Sequence, residues 1–185
     1  MPSARWYLLL LQAHGCGKVR WTDGDAFEGE FRQGRFQGTG TMTYADGATY
    51  TGAWKCGTRW GQGTLRGAAG ECYEGEWRAG RREGRGVYTG EGFRFEGEWQ
   101  GGVREGRGAV HLGSDGTTYE GQWSAHLMHG SGTYRFADGA VQIGTWRANE
   151  PVGVGVRWRP DGQKASQLLD SLHKLCTRTC GSDLK

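Results

Sequence analysis

The sequence predicts an all-β chain folded as one long antiparallel meander, and three observations carry that prediction. A pattern of aromatic-x-Gly-x-aromatic recurs about every 23 residues, as FEGEF from Phe27, YTGAW from Tyr50, YEGEW from Tyr73, FEGEW from Phe95 and YEGQW from Tyr119. The glycines between these copies keep the same frame. Glycine and aromatics are also abundant together, with 36 Gly, nine Trp, seven Tyr and six Phe in 185 residues. Gly-rich disordered segments are poor in aromatics, whereas short strands joined by tight turns use both.

Taken in order, residues 1–26 read as a degenerate first copy, in which Gly15, Gly17 and Gly24 hold the frame while the first strand has become RWYLLLLQ. Its apolar run is shorter than the hydrophobic segment of a secretory signal usually is. Six copies follow, at 27–49, 50–72, 73–94, 95–118, 119–141 and 142–164. The last opens with QIGTW, so Gln142 stands where the others carry an aromatic. In each copy the first strand alternates; Tyr73, Gly75 and Trp77 face one way, and Glu74, Glu76 and Arg78 the other. A G-x-G pair opens the return strand, and an Asp-Gly turn leads to the next copy at 46–47, 115–116, 138–139 and 161–162.

Two glycine classes follow from this frame. The position holding Gly34, Gly57, Gly80 and Gly102 is replaced by His126 and Asn149 in later copies, residues that tolerate positive φ, so it is predicted to be a left-handed turn. Strand glycines such as Gly29, Gly75 and Gly121 are predicted to lie under aromatic rings, which supply the core that a thin hairpin array lacks. In the last copy the apolar residues shift by one, to Val156 and Trp158, which reads either as a change of register or as a terminal cap.

The pattern Y/F-x-G-x-W-x-x-G-x-x-x-G-x-G followed by Asp-Gly resembles the MORN repeat (membrane occupation and recognition nexus). The resemblance implies an elongated, twisted antiparallel solenoid of about six hairpins plus a degenerate N-terminal copy. Such repeats occur in junctophilins, plant phosphatidylinositol phosphate kinases, alsin, SET-domain methyltransferases, radial-spoke head proteins and parasite cytoskeletal scaffolds. There they serve as interaction modules. The resemblance implies protein–protein scaffolding in a cytoskeletal or membrane-associated assembly, with binding of phosphoinositides or other anionic lipids as the alternative. It implies no catalysis without an attached enzyme domain.

Several side chains are of types that catalysis or metal binding uses. Glu28/Glu30, Glu74/Glu76 and Glu96/Glu98 recur as pairs about 7 Å apart by strand rise. Paired carboxylates in a glycosidase need one pair with split environments, and a pair repeated at an outward position reads as solvated surface. His126 and His129 lack a third ligand, Cys176 and Cys180 are half a zinc site, and no Gly-Lys-Ser/Thr follows a glycine-rich stretch. No catalytic residue, metal or cofactor is expected. Five cysteines at irregular spacings favour a reducing, cytoplasmic setting.

Three binding features remain. Arg78, Arg81, Arg82 and Arg85 surround one hairpin tip, with Arg104 and Arg107 on the next, as candidate contacts for an anionic protein or lipid headgroup. A net charge of +3 and the lack of an RNA-binding motif argue against nucleic acid. An aromatic groove is expected from Phe27, Phe31, Tyr50, Trp54, Tyr73 and Trp77, continued by Phe95, Trp99, Tyr119, Trp123 and Trp146, as stacking area for a partner. Residues 165–185 are read as a short amphipathic α-helix and tail, with Ser166 as N-cap and Leu168, Leu169, Leu172 and Leu175 on one face, covering the last strand edge or docking a partner. Exposed edge strands and an aromatic face also predict a homodimer.

Overall fold

The computed structural model describes residues 14–90 and 92–168, and the chain divides into two compact units, 1–103 and 104–185. Every regular element among the described residues is a strand. In the first unit these are β1 (Gly15–Arg20), β2 (Ala26–Arg32), β3 (Arg35–Thr43), β4 (Thr49–Lys55), β5 (Thr58–Arg66), β6 (Cys72–Arg78), β7 (Arg81–Gly90) and β8 (Phe93–Gln100). The second holds β9 (Val103–Leu112), β10 (Thr117–Ser124), β11 (Leu127–Arg135), β12 (Val141–Arg147), β13 (Glu150–Trp158) and β14 (Lys164–Leu168). Within each unit every strand pairs antiparallel with its sequence neighbours, as a meander requires.

One register organises the first unit. The strand glycines face one another across successive ladders, Gly17 to Gly29 to Gly40 to Gly52 to Gly63 to Gly75 to Gly86 to Gly97. In the second unit Gly108, Gly121 and Gly132 continue to Gly144 in the same manner. The column leaves room for the leading aromatic of each copy to lie flat across two strands. A Cβ at Gly75 would sit 2.8 Å from the Tyr73 hydroxyl, and at Gly121 2.5 Å from that of Tyr119. The Tyr hydroxyls, held over the backbone, donate to the carbonyls of Ala53, Glu76 and Gln122 at 2.9–3.1 Å. Burial pushes the Tyr50 and Tyr119 phenols up to about 12, so both remain donors throughout the neutral range.

The second aromatic of each copy meets these rings edge-on. Trp77 lies 5.3 Å from Tyr50 and 5.1 Å from Tyr73; Trp99 lies 5.2 Å from Tyr73 and 5.4 Å from Phe95. Edge-to-face pairs at this distance contribute about 0.5–1.5 kcal/mol each beyond their buried area. The indole N–H groups of Trp54, Trp77 and Trp99 donate to the carbonyls of Gly40, Gly63 and Gly86 at 3.0–3.2 Å. Trp123 and Trp146 do the same to Gly108 and Gly132. The repeat thereby buries two large rings per hairpin without stranding either polar atom.

The two kinds of turn differ. Within a copy the link is two residues long and both are left-handed: Gln33/Gly34, Cys56/Gly57, Ala79/Gly80, Ala125/His126 and Ala148/Asn149, with φ of 49–51° at the first residue of each. This is the type I′ geometry that matches strand twist and favours Asn-Gly. The first position was not legible from sequence, because non-glycine residues occupy it. Left-handed backbone is strained for alanine. Ala79→Asn is expected to raise stability by about 0.5–1 kcal/mol, read as a shift in denaturation midpoint with unchanged slope.

Between copies the link is a three-residue loop such as Ala45-Asp46-Gly47, closed by Tyr44 N–H to the Ala48 carbonyl at 2.8 Å. Only its glycine is left-handed, at φ 90° for Gly47. The aspartate accepts from the backbone two residues on, as Asp46 does from Ala48 N–H at 2.9 Å. The one shorter and one longer copy vary at this connection, 91–92 between β7 and β8 and 113–116 between β9 and β10.

The C-terminal helix expectation needs correction. Lys164–Leu168 pairs as strand β14 with β13, with Leu168 opposite Gly155, so Ser166 caps no helix and Leu168 does not begin one. The open hydrogen-bonding edge of β13 takes up the chain as a strand before leucine periodicity can act. Leu169, Leu172 and Leu175 lie outside the described residues, as does the degenerate strand over 1–13.

Candidate functional site

The hairpin tips are stitched to one another by the left-handed turn residues. The N–H of Gly57, Gly80 and Gly102 donates to the carbonyl of Phe36, Arg59 and Arg82 on the preceding tip at 2.9–3.0 Å. In the second unit His126 and Asn149 N–H groups donate to Arg104 and Met128 carbonyls at 3.1 Å. The two non-glycine residues add a bond that glycine lacks: His126 Nδ1 accepts from Arg104 N–H at 3.2 Å, and Asn149 Oδ1 from Met128 N–H at 2.8 Å. His126 is thus engaged in turn structure.

The two residues after the turn residue alternate in direction, and this sorts the arginines. Arg82 points inward, with its guanidinium 4.9 Å from the Tyr73 ring centre and 5.0 Å from those of Tyr88 and Trp99. Burial among these rings holds its pKa below the ordinary arginine value, and Tyr73 and Tyr88 partly offset that shift. Arg59 occupies the same place one copy earlier, 4.4 Å over Trp77 and donating to the Gly80 carbonyl at 3.1 Å. Arg104 does so in the second unit, 4.8 Å over Trp123 and donating to the His126 carbonyl at 2.9 Å. In the copy at 27–49 a ring, Phe36, fills this position and stacks 3.8 Å from Phe27. A planar group belongs here, and a guanidinium is one.

Arg78, Arg81, Arg85 and Arg107 are exposed. Arg85 stands directly across from Glu98. Arg78 stands directly across from Arg81, and Arg32 across from Arg35 in the copy at 27–49. Lys55 lies on the tip between them, its ammonium 4.5 Å from the Trp60 ring centre. The five residues Arg32, Arg35, Lys55, Arg78 and Arg81 all face solvent. The ion pairs among the described residues are Lys18–Glu28 and Arg94–Glu96, so none of the five has a carboxylate partner. Like charges placed directly opposite destabilise a hairpin by some tenths of a kcal/mol. The sheet holds two such pairs one tip apart from each other.

The nearby carboxylates have structural work instead. Glu30 accepts from both the N–H and hydroxyl of Thr39 at 2.8–2.9 Å, and the Thr39 N–H holds its carboxyl below the usual range. Glu76 accepts from Arg85 N–H at 3.1 Å, and Gln122 from Ser131 N–H at 2.8 Å, each at the bulge after the first glycine of G-x-G. Glu83 and Glu105 accept from turn N–H groups at Gly101 and Ala125. Glu30, Glu76, Glu83 and Glu105 therefore satisfy backbone donors, while Glu28 and Glu96 pair with Lys18 and Arg94.

The eleven aromatics expected to line a groove are all in the core, none more than 6 % exposed. Phe27, Phe31, Tyr50, Trp54, Tyr73 and Trp77, like Phe95, Trp99, Tyr119, Trp123 and Trp146, pack against rings and glycines of their own sheet. Their faces are already covered, so they offer a partner little stacking area. Among the described residues no three His, Cys, Asp or Glu side chains converge as a metal site requires, and no helix is long and apolar enough to cross a membrane.

The MORN-repeat family model matches residues 12–26, 27–49, 50–72, 73–91, 95–117, 119–141 and 143–164. No curated protein matches the chain. Among solved structures it is similar to the TCP domain of Drosophila melanogaster SAS-4 (dCPAP) in complex with a proline-rich motif of Ana2, at 12% identity and TM-score 0.42, covering 81% of this chain and 87% of that one. A point mutant of the TCP10 domain of Danio rerio CPAP is similar at 16% identity and TM-score 0.42, covering 91% and 92%. The wild-type Danio rerio domain with a STIL peptide gives 14% identity and TM-score 0.34 over 86% and 97%. At these values no property of those domains transfers to this chain.

Proposed function

The chain belongs to the MORN-repeat family, and from that premise we propose that it is a non-catalytic scaffold whose first unit binds an acidic segment of a partner protein along the hairpin tips. One observation carries this reading: Arg32, Arg35, Lys55, Arg78 and Arg81 form an exposed basic row without carboxylate partners. Successive tips are two strands apart, roughly 10 Å. An extended chain advances about 3.3 Å per residue, so acidic side chains at every third position would meet successive tips. The setting we propose is a cytoskeletal or membrane-associated assembly on the cytoplasmic side. Family membership supports a scaffold, and the row supports an anionic partner.

A synthetic polyglutamate peptide is the probe, titrated against the full chain and against the variant with Arg32, Arg35, Arg78 and Arg81 replaced by serine. Exposed charge pairs contribute about 0.2–1 kcal/mol each, so four substitutions should weaken binding roughly tenfold or more. Binding to the unaltered chain should fall as salt rises. Stability should hold or increase, since two like-charge pairs are removed. Equal binding by the variant would refute the reading. Stronger association with phosphatidylserine vesicles than with the peptide at the same salt would replace it with the lipid alternative.

A further inference from the structure

The last hairpin carries its polarity inverted. Val141, Ile143, Val156 and Trp158 stand on the outward face of β12 and β13, and Gln142 and Arg157 stand across from each other on the inward face. The ladder has not slipped, since Ile143 stands opposite Val156 as Glu120 stands opposite Thr133 one copy earlier. The inward face therefore lacks its leading ring. In four other copies that ring lies on the first-strand glycine. A Cβ there would be 2.9 Å from Phe27 Cζ at Gly29, 2.8 Å from the Tyr50 and Tyr73 hydroxyls at Gly52 and Gly75, and 2.5 Å from that of Tyr119 at Gly121. Among the described residues, a Cβ at Gly144 meets only backbone, Gly155 Cα at 3.2 Å and the Val154 carbonyl oxygen at 4.0 Å. Trp77 and Trp123 each meet the leading ring of their own copy, at 5.1 and 5.4 Å. Among the described residues Trp146 meets only rings of the copy before it, Tyr119 at 5.4 Å and Tyr134 at 5.6 Å.

Two polar groups border the uncovered glycine. Gln142, two residues before Gly144 in the same strand and on the same face, is 5% exposed, and its Nε2 has no hydrogen-bond partner. Buried donors are nearly always paired, so this one asks for an acceptor that the described residues do not supply. Arg157, across from it, is half-buried, with its guanidinium 4.3 Å from the Phe136 ring centre and no carboxylate partner among the described residues. We propose that this place binds an aromatic side chain of a partner protein, a tyrosine or phenylalanine flanked by acidic residues. The ring lies on Gly144 with its edge toward Trp146, as the chain's own rings lie on Gly75 and Gly121. A backbone carbonyl of the bound segment accepts from Gln142 Nε2. A neighbouring carboxylate meets the Arg157 guanidinium, where partial burial beside rings strengthens a charged hydrogen bond. The chemistry of the ligand follows from three separate features: a glycine without its ring, a lone buried donor, and a cation without an anion. The site lies within the second unit and does not rest on the basic row of the first.

The probe is a synthetic Glu-Tyr-Glu peptide with blocked ends, titrated against the full chain and followed by NMR at the Trp146 indole N–H, assigned through Trp146→Phe. Binding should saturate and shift this signal. The same peptide with alanine in place of tyrosine should bind about tenfold more weakly or worse, the factor that burial of one aromatic ring implies. Gln142→Tyr supplies the ring from the chain itself and should weaken the tyrosine peptide to the level of the alanine peptide, while its thermal transition shows that the sheet still folds. Arg157→Met should weaken binding several-fold and flatten its salt dependence. Binding of either peptide to the basic row is read apart from this site, since neither Trp146 nor Gln142 belongs to that row. No shift at Trp146, equal binding of the two peptides, or equal binding by Gln142→Tyr would overturn the proposal. So would 4-hydroxyphenylacetate binding more tightly than the peptide, because a free aromatic acid would then be the ligand.

Discussion

Gly75→Ala should destabilise the protein by about 3 kcal/mol or more, the upper end of what overpacking costs. Gly75 has ordinary strand φ, so alanine on its own would be tolerated there and would even reduce unfolded-chain entropy. Space decides the sign. A Cβ would lie 2.5 Å from Gly86 Cα and 2.6 Å from the Arg85 carbonyl oxygen, both backbone atoms of the paired strand, and 2.8 Å from the Tyr73 hydroxyl. Neither backbone atom can withdraw without parting β6 from β7, and the ring above cannot rise without leaving its carbonyl partner and Trp77. Gly80→Ala is the matched control. At φ 80° and with nothing near its Cβ, it loses conformational ease alone, about 1–2 kcal/mol. Chemical denaturation of both variants checks the difference, and comparable losses would mean that the column is not tightly packed.

Gln142→Tyr should stabilise the protein by about 2–3 kcal/mol. Gln142 takes the place of the leading aromatic in the last copy and is 5% exposed, with its amide nitrogen lacking a hydrogen-bond partner. A buried, unsatisfied donor costs about 1–3 kcal/mol, and burying an aromatic side chain contributes a similar amount. The space exists: a Cβ at Gly144 meets only Gly155 Cα at 3.2 Å and the Val154 carbonyl at 4.0 Å, where the equivalent Gly121 lies under the Tyr119 hydroxyl. The new ring would meet Trp146 as Tyr119 meets Trp123, at 5.4 Å. A raised melting temperature checks this, and a fall would show that the inverted polarity of this hairpin depends on glutamine.

Sequence reasoning reached the column and the rings because both are periodic. Replacement of glycine by His126 and Asn149 exposed the left-handed turn position, and the structure adds the side-chain bonds that those two residues make. Arg82 was not legible as an inward residue. Its neighbours Arg78, Arg81 and Arg85 make the stretch look like one charged loop. The turn is only Ala79 and Gly80, however, so strand alternation resumes at Arg81 and carries Arg82 beneath Tyr73, Tyr88 and Trp99. The aromatic groove was misplaced for a related reason: alternation groups these rings on one face but does not say that they cover each other. The shift to Val156 and Trp158 leaves two readings open in the sequence, and the ladder of β12 with β13 keeps its register, which removes the first of them. The segment from Lys164 carried competing signals, helical leucine spacing against an open strand edge, and the edge prevails as far as Leu168.

The division of the arginines into one held by rings and others facing a partner is tested most directly by polyglutamate binding of two variants side by side, Arg78→Ser with Arg81→Ser, and Arg82→Met. Arg78 and Arg81 are exposed and unpaired, so their loss should weaken peptide binding several-fold at low salt, by the magnitude of two exposed charge contacts. Arg82→Met keeps a side chain under the rings and should leave peptide affinity within about twofold, because the guanidinium it removes faces Tyr73 and Trp99 rather than solvent. Loss of binding in Arg82→Met with full binding in the Arg78/Arg81 variant would contradict the assignment.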